Sequence, residues 1–196
     1  GVPEDLYQEF MRDITAEIDR ENRIITDLLT LVKMDKKNAD LQIQHMSINQ
    51  LLEDILKRLR PIADKRNIDL ILDSFRPVEA DVDELKFTSA ISNLVENAIK
   101  YNVDDGWVRV SLDADHKFFY VTVADSGMGI PEDSLSRIFE RFYRVDKSHS
   151  REIGGTGLGL AITRSTIGMH HGVIKVFSKE GEGTTFSVRV PLSYIP

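Results

Sequence analysis

The sequence contains no cysteine, which excludes disulfides, thiolate metal sites and cysteine nucleophiles. It has no apolar run near the roughly 18 residues that a membrane-spanning helix needs, and nothing at its start reads as a signal peptide. Acidic residues outnumber basic ones by 32 to 25, and no basic run offers a surface to nucleic acid. We therefore expect a soluble chain that binds no nucleic acid and makes no membrane contact itself.

A long helix is predicted at the start of the chain, because residues 3–34 contain neither glycine nor a second proline. Its apolar residues recur at alternating steps of four and three, which is the spacing of a heptad seam. The seam consists of Tyr7, Met11, Ile14, Ile18, Ile25, Leu28 and Val32, with the polar Glu21 at the one seam position between Ile18 and Ile25. The pattern fits either a dimerising bundle helix or a helix that packs on its own domain.

A charged stretch from Asp35 to Asp40 predicts a hinge, which divides the chain into a helical part, residues 1–38, and a domain, residues 39–196. Within the domain, alternating or β-branched segments predict strands over residues 41–45, 68–72, 107–112, 118–124, 173–178 and 185–191. Helices are predicted behind the capping residues Ser47 and Asp83, with the second ending near Tyr101, and over residues 158–170. Shorter helical character is expected over 135–142. This order predicts an α+β fold, a two-layer α/β sandwich.

Three segments of the domain carry residues suited to nucleotide chemistry. On the second helix, Asn93, Asn97 and Lys100 share one face, where an amide oxygen suits Mg²⁺ and a lysine suits phosphate. Asp125-Ser126-Gly127-Met128-Gly129-Ile130-Pro131 follows a strand, so a carboxylate could accept from an exocyclic amine while glycines admit a flat ring. Solvated asparagines and a tight turn are the plainer readings of these two segments.

The third segment, Gly154 to Leu160, opens a helix and would present free backbone N–H groups to phosphate. Its spacing matches neither a P-loop nor G-x-G-x-x-G. Basic and aromatic residues interleave just before it and favour a lid over a triphosphate, although Lys147 and Arg151 could equally form surface ion pairs. These residues are Phe139, Arg141, Phe142, Tyr143, Arg144, Lys147 and Arg151.

Taken in order, these segments resemble the nucleotide boxes of sensor histidine kinases, within the wider group of gyrase-, chaperone- and mismatch-repair-type ATPases. Residues 93–101 (NLVENAIKY) are similar to the N box and 125–131 (DSGMGIP) to the G1 box. Residues 138–144 (IFERFYR) are similar to the F box, 155–160 (GTGLGL) to the G2 box and 183–186 (GTTF) to the final strand signature. The likeness covers roughly residues 41–191, and residues 4–34 resemble the second helix of the dimerisation and histidine phosphotransfer domain.

The resemblance implies a role for each matching residue. Asn97 would coordinate Mg²⁺ with support from Asn93, while Lys100 and Tyr101 would face the phosphates and ribose. Asp125 would bind the adenine amino group, and Arg144 would reach the γ-phosphate from the lid. Glu96 would orient water or accept a proton. The remaining nucleotide-binding residues would be Gly127, Gly129, Ile130, Gly155, Thr156, Gly157, Leu158, Gly159 and Thr185.

The function implied is transfer of the ATP γ-phosphate to a histidine and then to an aspartate of a response regulator, in a homodimer joined through the bundle helix. These residues would be cytoplasmic, in a parent anchored in the cell membrane. The phosphoacceptor motif itself is absent, so we expect this chain to bind ATP without phosphorylating itself. His45, His116, His149, His170 and His171 are read as ordinary polar residues.

Two other functions remain open from the sequence. The first is an ATPase or serine kinase of the same nucleotide-binding group, which would hydrolyse or transfer phosphate without a histidine-bearing partner. The second is a non-catalytic module in which ATP only controls association.

Overall fold

The structure is a computed structural model that describes residues 3–34, 40–145 and 155–196. The hinge predicted over residues 35–40 lies outside the described residues except for Asp40, as do Lys147, His149 and Arg151. The helices are α1 (Glu4–Met34), α2 (Ile48–Asp64), α3 (Glu84–Lys100), α4 (Glu132–Leu135) and α5 (Gly159–Met169). The strands are β1 (Ile43–Ser47), β2 (Asp69–Ser74), β3 (Glu79–Asp83), β4 (Trp107–Ala114), β5 (Phe118–Asp125), β6 (Val173–Lys179) and β7 (Gly183–Pro191).

In the described part of the chain, five strands form one mixed sheet in the order β2-β4-β5-β7-β6. The pair β2–β4 is parallel and the other neighbours are antiparallel. Helices α2, α3 and α5 pack on this sheet, while β1 and β3 form a separate antiparallel pair. The predicted fold, a two-layer α/β sandwich preceded by a long helix, is confirmed.

The core lies between the sheet and α2 and α3. Alternate residues of the strands point into it, as in β4, where Val108 and Val110 are fully buried. Phe87 of α3 and Phe119 of β5 meet there edge to face, with ring centroids 5.6 Å apart, an arrangement that favours aromatic pairs. The sheet and α3 therefore share one rigid interior, which fixes the residues at the ends of β5 and α3.

The ends of the helices are held by side chains. Ser47 accepts a hydrogen bond from the Gln50 N–H at 3.3 Å, and Asp83 accepts one from the Lys86 N–H at 3.0 Å, so both predicted caps are confirmed. The end of α3 is held by Arg66, whose guanidinium donates to the carbonyls of Ile99, Lys100 and Asn102. Because the last carbonyls of a helix lack the usual intrahelical donors, these bonds from Arg66 stabilise the turn that carries Lys100.

Two elements differ from the prediction. Strand β3 was not predicted, since three of its five residues are acidic and only pairing with β1 makes it a strand. The helical stretch expected over residues 135–142 is wrong, because α4 covers Glu132–Leu135 and the chain then continues in turns.

The seam of α1 is mostly open to solvent. Tyr7 is 59% exposed, Ile18 52% and Ile25 55%. Only the last turns of the helix pack on the domain, where Leu31 is 1% exposed and forms an apolar cluster with Leu158, Ala161 and Ile162. The face that docks is thus centred on Leu31, beside the seam; of the seam residues, Leu28 packs against the cluster and Val32 is 55% exposed. Among the described helices, none combines the length and the apolar character that crossing a membrane requires.

Candidate functional site

One end of the candidate site is built around Asp125, the last residue of β5. Its Oδ1 accepts hydrogen bonds from the backbone N–H of Gly127 at 2.8 Å and of Thr184 at 3.2 Å. Its other oxygen, Oδ2, has no hydrogen bond within the described residues. Burial raises the pKa of Asp125 to about 6, against the opposing effect of the two N–H donors. A half-buried carboxylate with one free oxygen can accept a hydrogen bond from a ligand amine.

Close backbone contacts hold the loop after Asp125 in place. A Cβ on Gly127 would lie 2.4 Å from the carbonyl oxygen of Tyr101, so this position admits only glycine. Gly129 has φ +71, and a Cβ there would lie 2.1 Å from the carbonyl oxygen of Lys179. The next N–H, of Ile130, donates to Ser178 Oγ at 2.8 Å. The loop is thereby joined both to the end of α3 and to β6.

The threonine at this end differs from the sequence expectation. Thr184 contributes the N–H to Asp125 and is 7% exposed, on the core side of β7. Thr185 is its neighbour along the strand and so points to the opposite face of the sheet, because side chains alternate. Ser178, whose Oγ bonds both Thr184 and Ile130, was not singled out from the sequence either. A lone serine on an edge strand carries no signal of such a role.

The asparagines of α3 line the middle of the site. The Asn93 amide lies beside the start of α5, with Nδ2 donating to the Gly159 carbonyl at 3.4 Å. Asn97 is half-buried, and its side-chain amide has no hydrogen bond to another described residue. A partly desolvated amide without a partner is available to a ligand, since burying an amide without hydrogen bonds has a free-energy cost.

The glycine turn before α5 closes the other end of the site. A Cβ on Gly155 would lie 2.7 Å from Lys100 Nζ, 3.8 Å from Arg144 Nη2 and 3.9 Å from Tyr101 Oη. Arg144 also donates to the Gly155 carbonyl at 2.7 Å. The structure therefore brings the end of α3, the lid residue Arg144 and the glycine turn together.

The turn itself is held against the base of the lid. Gly157 has φ +71, a conformation that favours glycine, and its carbonyl accepts from the Phe142 N–H at 2.9 Å. The Leu158 N–H is bonded to Thr156 Oγ1 at 3.2 Å, and Leu158 is buried. The start of α5, which carries the positive end of its helix dipole, follows this turn directly and lies beside Asn93 of α3.

Positive charge accumulates at this end. The pKa of Lys100 is lowered to about 8, first by burial and then by the charges of Arg144 and Arg23, while Glu96 opposes the shift. The pKa of Glu96 is raised by desolvation, against the effects of Arg58 and Lys100. Neighbouring cations with little negative charge around them repel one another and destabilise the folded chain, and a bound anion relieves this repulsion. The geometry and charge here suit a phosphate group.

The base of the lid is anchored in the core. Ile138 is 6% exposed, and the ring of Phe139 meets Phe186 edge to face at 6.3 Å. Tyr143 donates from its hydroxyl to Ser134 Oγ at 3.0 Å. Phe142, by contrast, has φ 64 and is 55% exposed. The aromatic residues thus divide into anchors and one residue that faces solvent beside the turn.

Three of the described histidines, His45, His170 and His171, have structural partners. His170 is 1% exposed, and its Nε2 accepts from the Asp83 N–H at 3.0 Å while Nδ1 lies 2.8 Å from the Thr166 carbonyl. This arrangement requires the neutral imidazole, and burial lowers the pKa of His170 accordingly. His45 pairs with Asp81 at 2.8 Å, and His171 stacks on Tyr194. None of these contacts involves the residues of the site.

Comparisons with known proteins agree with this geometry. The profile of the histidine kinase-, DNA gyrase B- and HSP90-like ATPases matches residues 82–194, which include the asparagines, Asp125 and the glycine turn. The chain belongs to this family of ATPases. Membership supports ATP as the substrate of the site.

Individual relatives in the family are sensor kinases. The sensor histidine kinase WalK of Bacillus subtilis is 34% identical over 190 residues, which are 95% of this chain and 31% of the relative. The catalytic domain of the histidine kinase ThkA superposes with a TM-score of 0.69 at 26% identity, covering 78% of this chain and 99% of that domain. ThkA in complex with the response regulator protein TrrA shares the fold, with a TM-score of 0.78, 24% identity and coverage of 98% of this chain and 53% of that one. The resemblance to sensor histidine kinases is confirmed, and the chain spans about a third of the length of WalK.

Proposed function

We propose that this chain is the catalytic ATP-binding region of a sensor histidine kinase, which transfers the ATP γ-phosphate to a histidine of a helical bundle and thence to a response-regulator aspartate. The observation that carries the proposal is the meeting of Lys100, Tyr101 and Arg144 at Gly155. This meeting forms a cationic corner on the same helix end that contacts the Asp125 loop. Similarity to WalK and ThkA supports it further.

We assign the adenine to the Asp125 end. The free Oδ2 of Asp125 would accept from the exocyclic amine, while Oδ1 stays fixed by the N–H groups of Gly127 and Thr184. Because Gly127 and Gly129 carry no side chain, the ring can lie against the backbone. Thr184 takes the place in this assignment that Thr185 had from the sequence, and Ile130 stays with the pocket through its bond to Ser178.

The phosphates are assigned to the other end. Lys100 and Arg144 would neutralise phosphate oxygens, and the N–H groups of Gly157 and Gly159 would donate to them. The N–H of Leu158 would join them by exchanging its bond to Thr156 Oγ1 for one to phosphate. Gly155 and Thr156 complete the turn, and Tyr101 would lie beside the ribose. Because positioning and charge neutralisation supply most of the catalysis in phosphoryl transfer, this corner would carry the rate enhancement.

Mg²⁺ fits the residues present. The unpartnered amide of Asn97 offers one hard oxygen ligand, with Asn93 one helical turn away to support it. Among the described residues, no group of three or more His, Cys, Asp or Glu forms a metal cluster. One amide together with phosphate oxygens and water is a usual way of holding Mg²⁺ at a nucleotide. The ion would supply charge neutralisation at the phosphates.

In the proposed transfer, an imidazole nitrogen from the bundle attacks the γ-phosphorus in line, the bond to the leaving oxygen of ADP breaks, and the imidazole proton passes to a base. Glu96 is our candidate for that base or for orienting water, since its pKa is raised. The exposed seam of α1 supports homodimerisation through a bundle. The residues 1–38 and 39–196 would then form its bundle and catalytic parts.

Nucleotide binding tests the site assignment. Calorimetric titration of the chain with a non-hydrolysable ATP analogue and Mg²⁺ should show binding that falls at least about tenfold in Asn97→Asp, through charge repulsion, and in Asp125→Asn, through loss of an acceptor. Asp113→Asn is the matched control, because Asp113 is an exposed carboxylate paired with Arg76. Unchanged affinity in both site variants would contradict the assignment.

Phosphoryl transfer tests the reaction. The chain supplied with ATP, Mg²⁺ and a histidine-bearing bundle domain of a related kinase should produce acid-labile phosphate on that domain. Hydrolysis of ATP well above background without any bundle domain would indicate an ATPase instead. Nucleotide binding without either reaction would indicate a module in which ATP only controls association.

A further inference from the structure

Helix α1 presents a polar face to the phosphate corner. A surface groove on this face is lined by Asp19, Asn22, Arg23, Thr26 and Asp27. At its far end the hydroxyl of Thr156, in the glycine turn, donates to Asp27 Oδ2 at 2.8 Å. The buried Leu31 lies one turn further along the helix, against Leu158. The helix is therefore fixed against the turn by one polar and one apolar contact.

Arg23 precedes Asp27 by one helical turn, a rise of about 6 Å on the same face. Its Nε donates to the carbonyl of Asp19 in its own helix at 3.3 Å. Within the described residues, its guanidinium has no other hydrogen bond and no carboxylate within ion-pair distance. An arginine fixed beside a phosphate-binding turn without a counter-ion has donors available for an anion.

We propose that Arg23 is a further phosphate-binding residue, which reaches from α1 into the corner formed by Lys100, Arg144 and the glycine turn and binds the terminal phosphates of the nucleotide. The proposal rests on the proposed function, because it assumes that ATP occupies this corner. None of the nucleotide boxes includes Arg23, which belongs to the helix outside the ATPase domain.

The electrostatics of the corner support this assignment. The charge of Arg23 contributes to the lowered pKa of Lys100, so the two cations lie within interaction range. Among the described carboxylates, neither Glu96 nor Asp19 and Asp27, which line the same groove, forms an ion pair with Arg23. An anion with several charges would be attracted by all three cations of the corner, whereas a nucleoside monophosphate would not extend to them.

The chain carries its own control for a test. Arg12 lies on the same helix, is exposed, and donates from Nε to the carbonyl of Gln8 at 3.3 Å, as Arg23 does to Asp19. It is far from the docked end of α1. The variants Arg23→Gln and Arg12→Gln therefore remove the same charge and the same type of local bond.

Calorimetric titration with AMP-PNP, ADP and AMP, each with Mg²⁺, measures how the affinity of each variant depends on the number of phosphates. We expect Arg23→Gln to weaken AMP-PNP about tenfold and AMP less than about twofold, with Arg23→Lys intermediate and Arg12→Gln unchanged. Unchanged affinity for AMP-PNP in Arg23→Gln would overturn the proposal. So would an equal loss for all three nucleotides, because that would indicate only structural support of the turn.

The test separates this proposal from the one on which it rests. If the unaltered chain binds AMP-PNP and Arg23→Gln binds it equally well, only the role of Arg23 fails. If the unaltered chain binds none of the nucleotides, the proposed function fails, and the role of Arg23 fails with it.

Discussion

The two ends of the candidate site are built in opposite ways. At the adenine end, hydrogen bonds from Gly127 and Thr184 fix one oxygen of Asp125, and glycines allow backbone contacts that no side chain would tolerate. At the phosphate end, Lys100 lies near other cations, and burial together with those charges lowers its pKa to about 8. One end is held in its geometry by protein hydrogen bonds before a ligand binds, whereas the other is electrostatically unfavourable until an anion binds.

The difference indicates how affinity is divided. In the proposed site, a preorganised polar pocket would select the base, because little has to be ordered when the ligand arrives. A cluster of cations instead gains most of its stabilisation from the charge of the ligand, so it should respond to phosphate number, salt and pH. Variants at the adenine end should therefore affect folding as well as binding, and variants at the phosphate end should affect binding alone.

The largest effect is expected at Gly183. It has φ +96, and a Cβ there would lie 2.0 Å from the carbonyl oxygen of Asp125. Gly183→Ala should lower the free energy of unfolding by about 2–4 kcal/mol, measured by urea denaturation, because it forces β5 and β7 apart. Gly181 also has positive φ, at +80, but nothing lies within 4 Å of its Cβ position.

Gly181→Ala is therefore the control for the steric clash between a Cβ at position 183 and the Asp125 carbonyl. This variant lies in the same turn between strands and should lower the free energy of unfolding by only about 1 kcal/mol, the cost of placing alanine at positive φ. Equal destabilisation by the two variants would show that the close approach of Gly183 to Asp125 does not stabilise the adenine end.

A smaller effect is expected at Lys100. Lys100→Met should weaken binding of an ATP analogue by about tenfold or more, measured calorimetrically, while leaving the free energy of unfolding of the ligand-free chain unchanged or higher. The reason is that removing one of several neighbouring cations relieves repulsion. Lys57→Met, at an exposed position of α2, is the control. A ligand-free chain that becomes clearly less stable in Lys100→Met would remove the contrast between the two ends.

The smallest effect is expected from pH. With the pKa of Asp125 raised to about 6 and that of Lys100 lowered to about 8, affinity for ADP should be highest between these values. Below about 6, protonation removes the carboxylate acceptor, and above about 8, loss of the lysine proton removes positive charge. Calorimetry across this range should show that the affinity for ADP falls a few-fold on each side, in proportion to the fraction of Asp125 protonated or of Lys100 deprotonated.

Variants show which residue causes the loss of affinity on each side of the pH profile. Asp125→Asn should abolish the acid side and leave the alkaline side, and Lys100→Met should do the reverse. A profile that keeps both sides in both variants would mean that other groups control binding.

Much of this structure could be predicted from the sequence, because the relevant signals are local. The caps Ser47 and Asp83 act through residues three positions away, and the faces of α2 and α3 follow from apolar spacing. The segments that we propose for adenine and phosphate stand out in the sequence because glycines are required where backbones approach closely, as at Gly127. These requirements leave a pattern in the sequence itself.

What could not be predicted depends on contacts between distant residues. Strand β3 forms only through pairing with β1, and the placement of Thr184 instead of Thr185 depends on the register of β7 against β5. Arg66 acts through its contact with the end of α3. The role proposed for Arg23 depends on the docking of α1 against the glycine turn. A single arginine has no local signal that shows which element it will reach.

The central claim is that one nucleotide occupies both ends at once. Nuclear magnetic resonance titration of the isotope-labelled chain with AMP-PNP and Mg²⁺ tests it most directly, through the Asn97 side-chain amide and the backbone amides of Gly127 and Gly157. We expect all three signals to change together and to give one dissociation constant. Changes confined to one end, or different constants for Gly127 and Gly157, would contradict it.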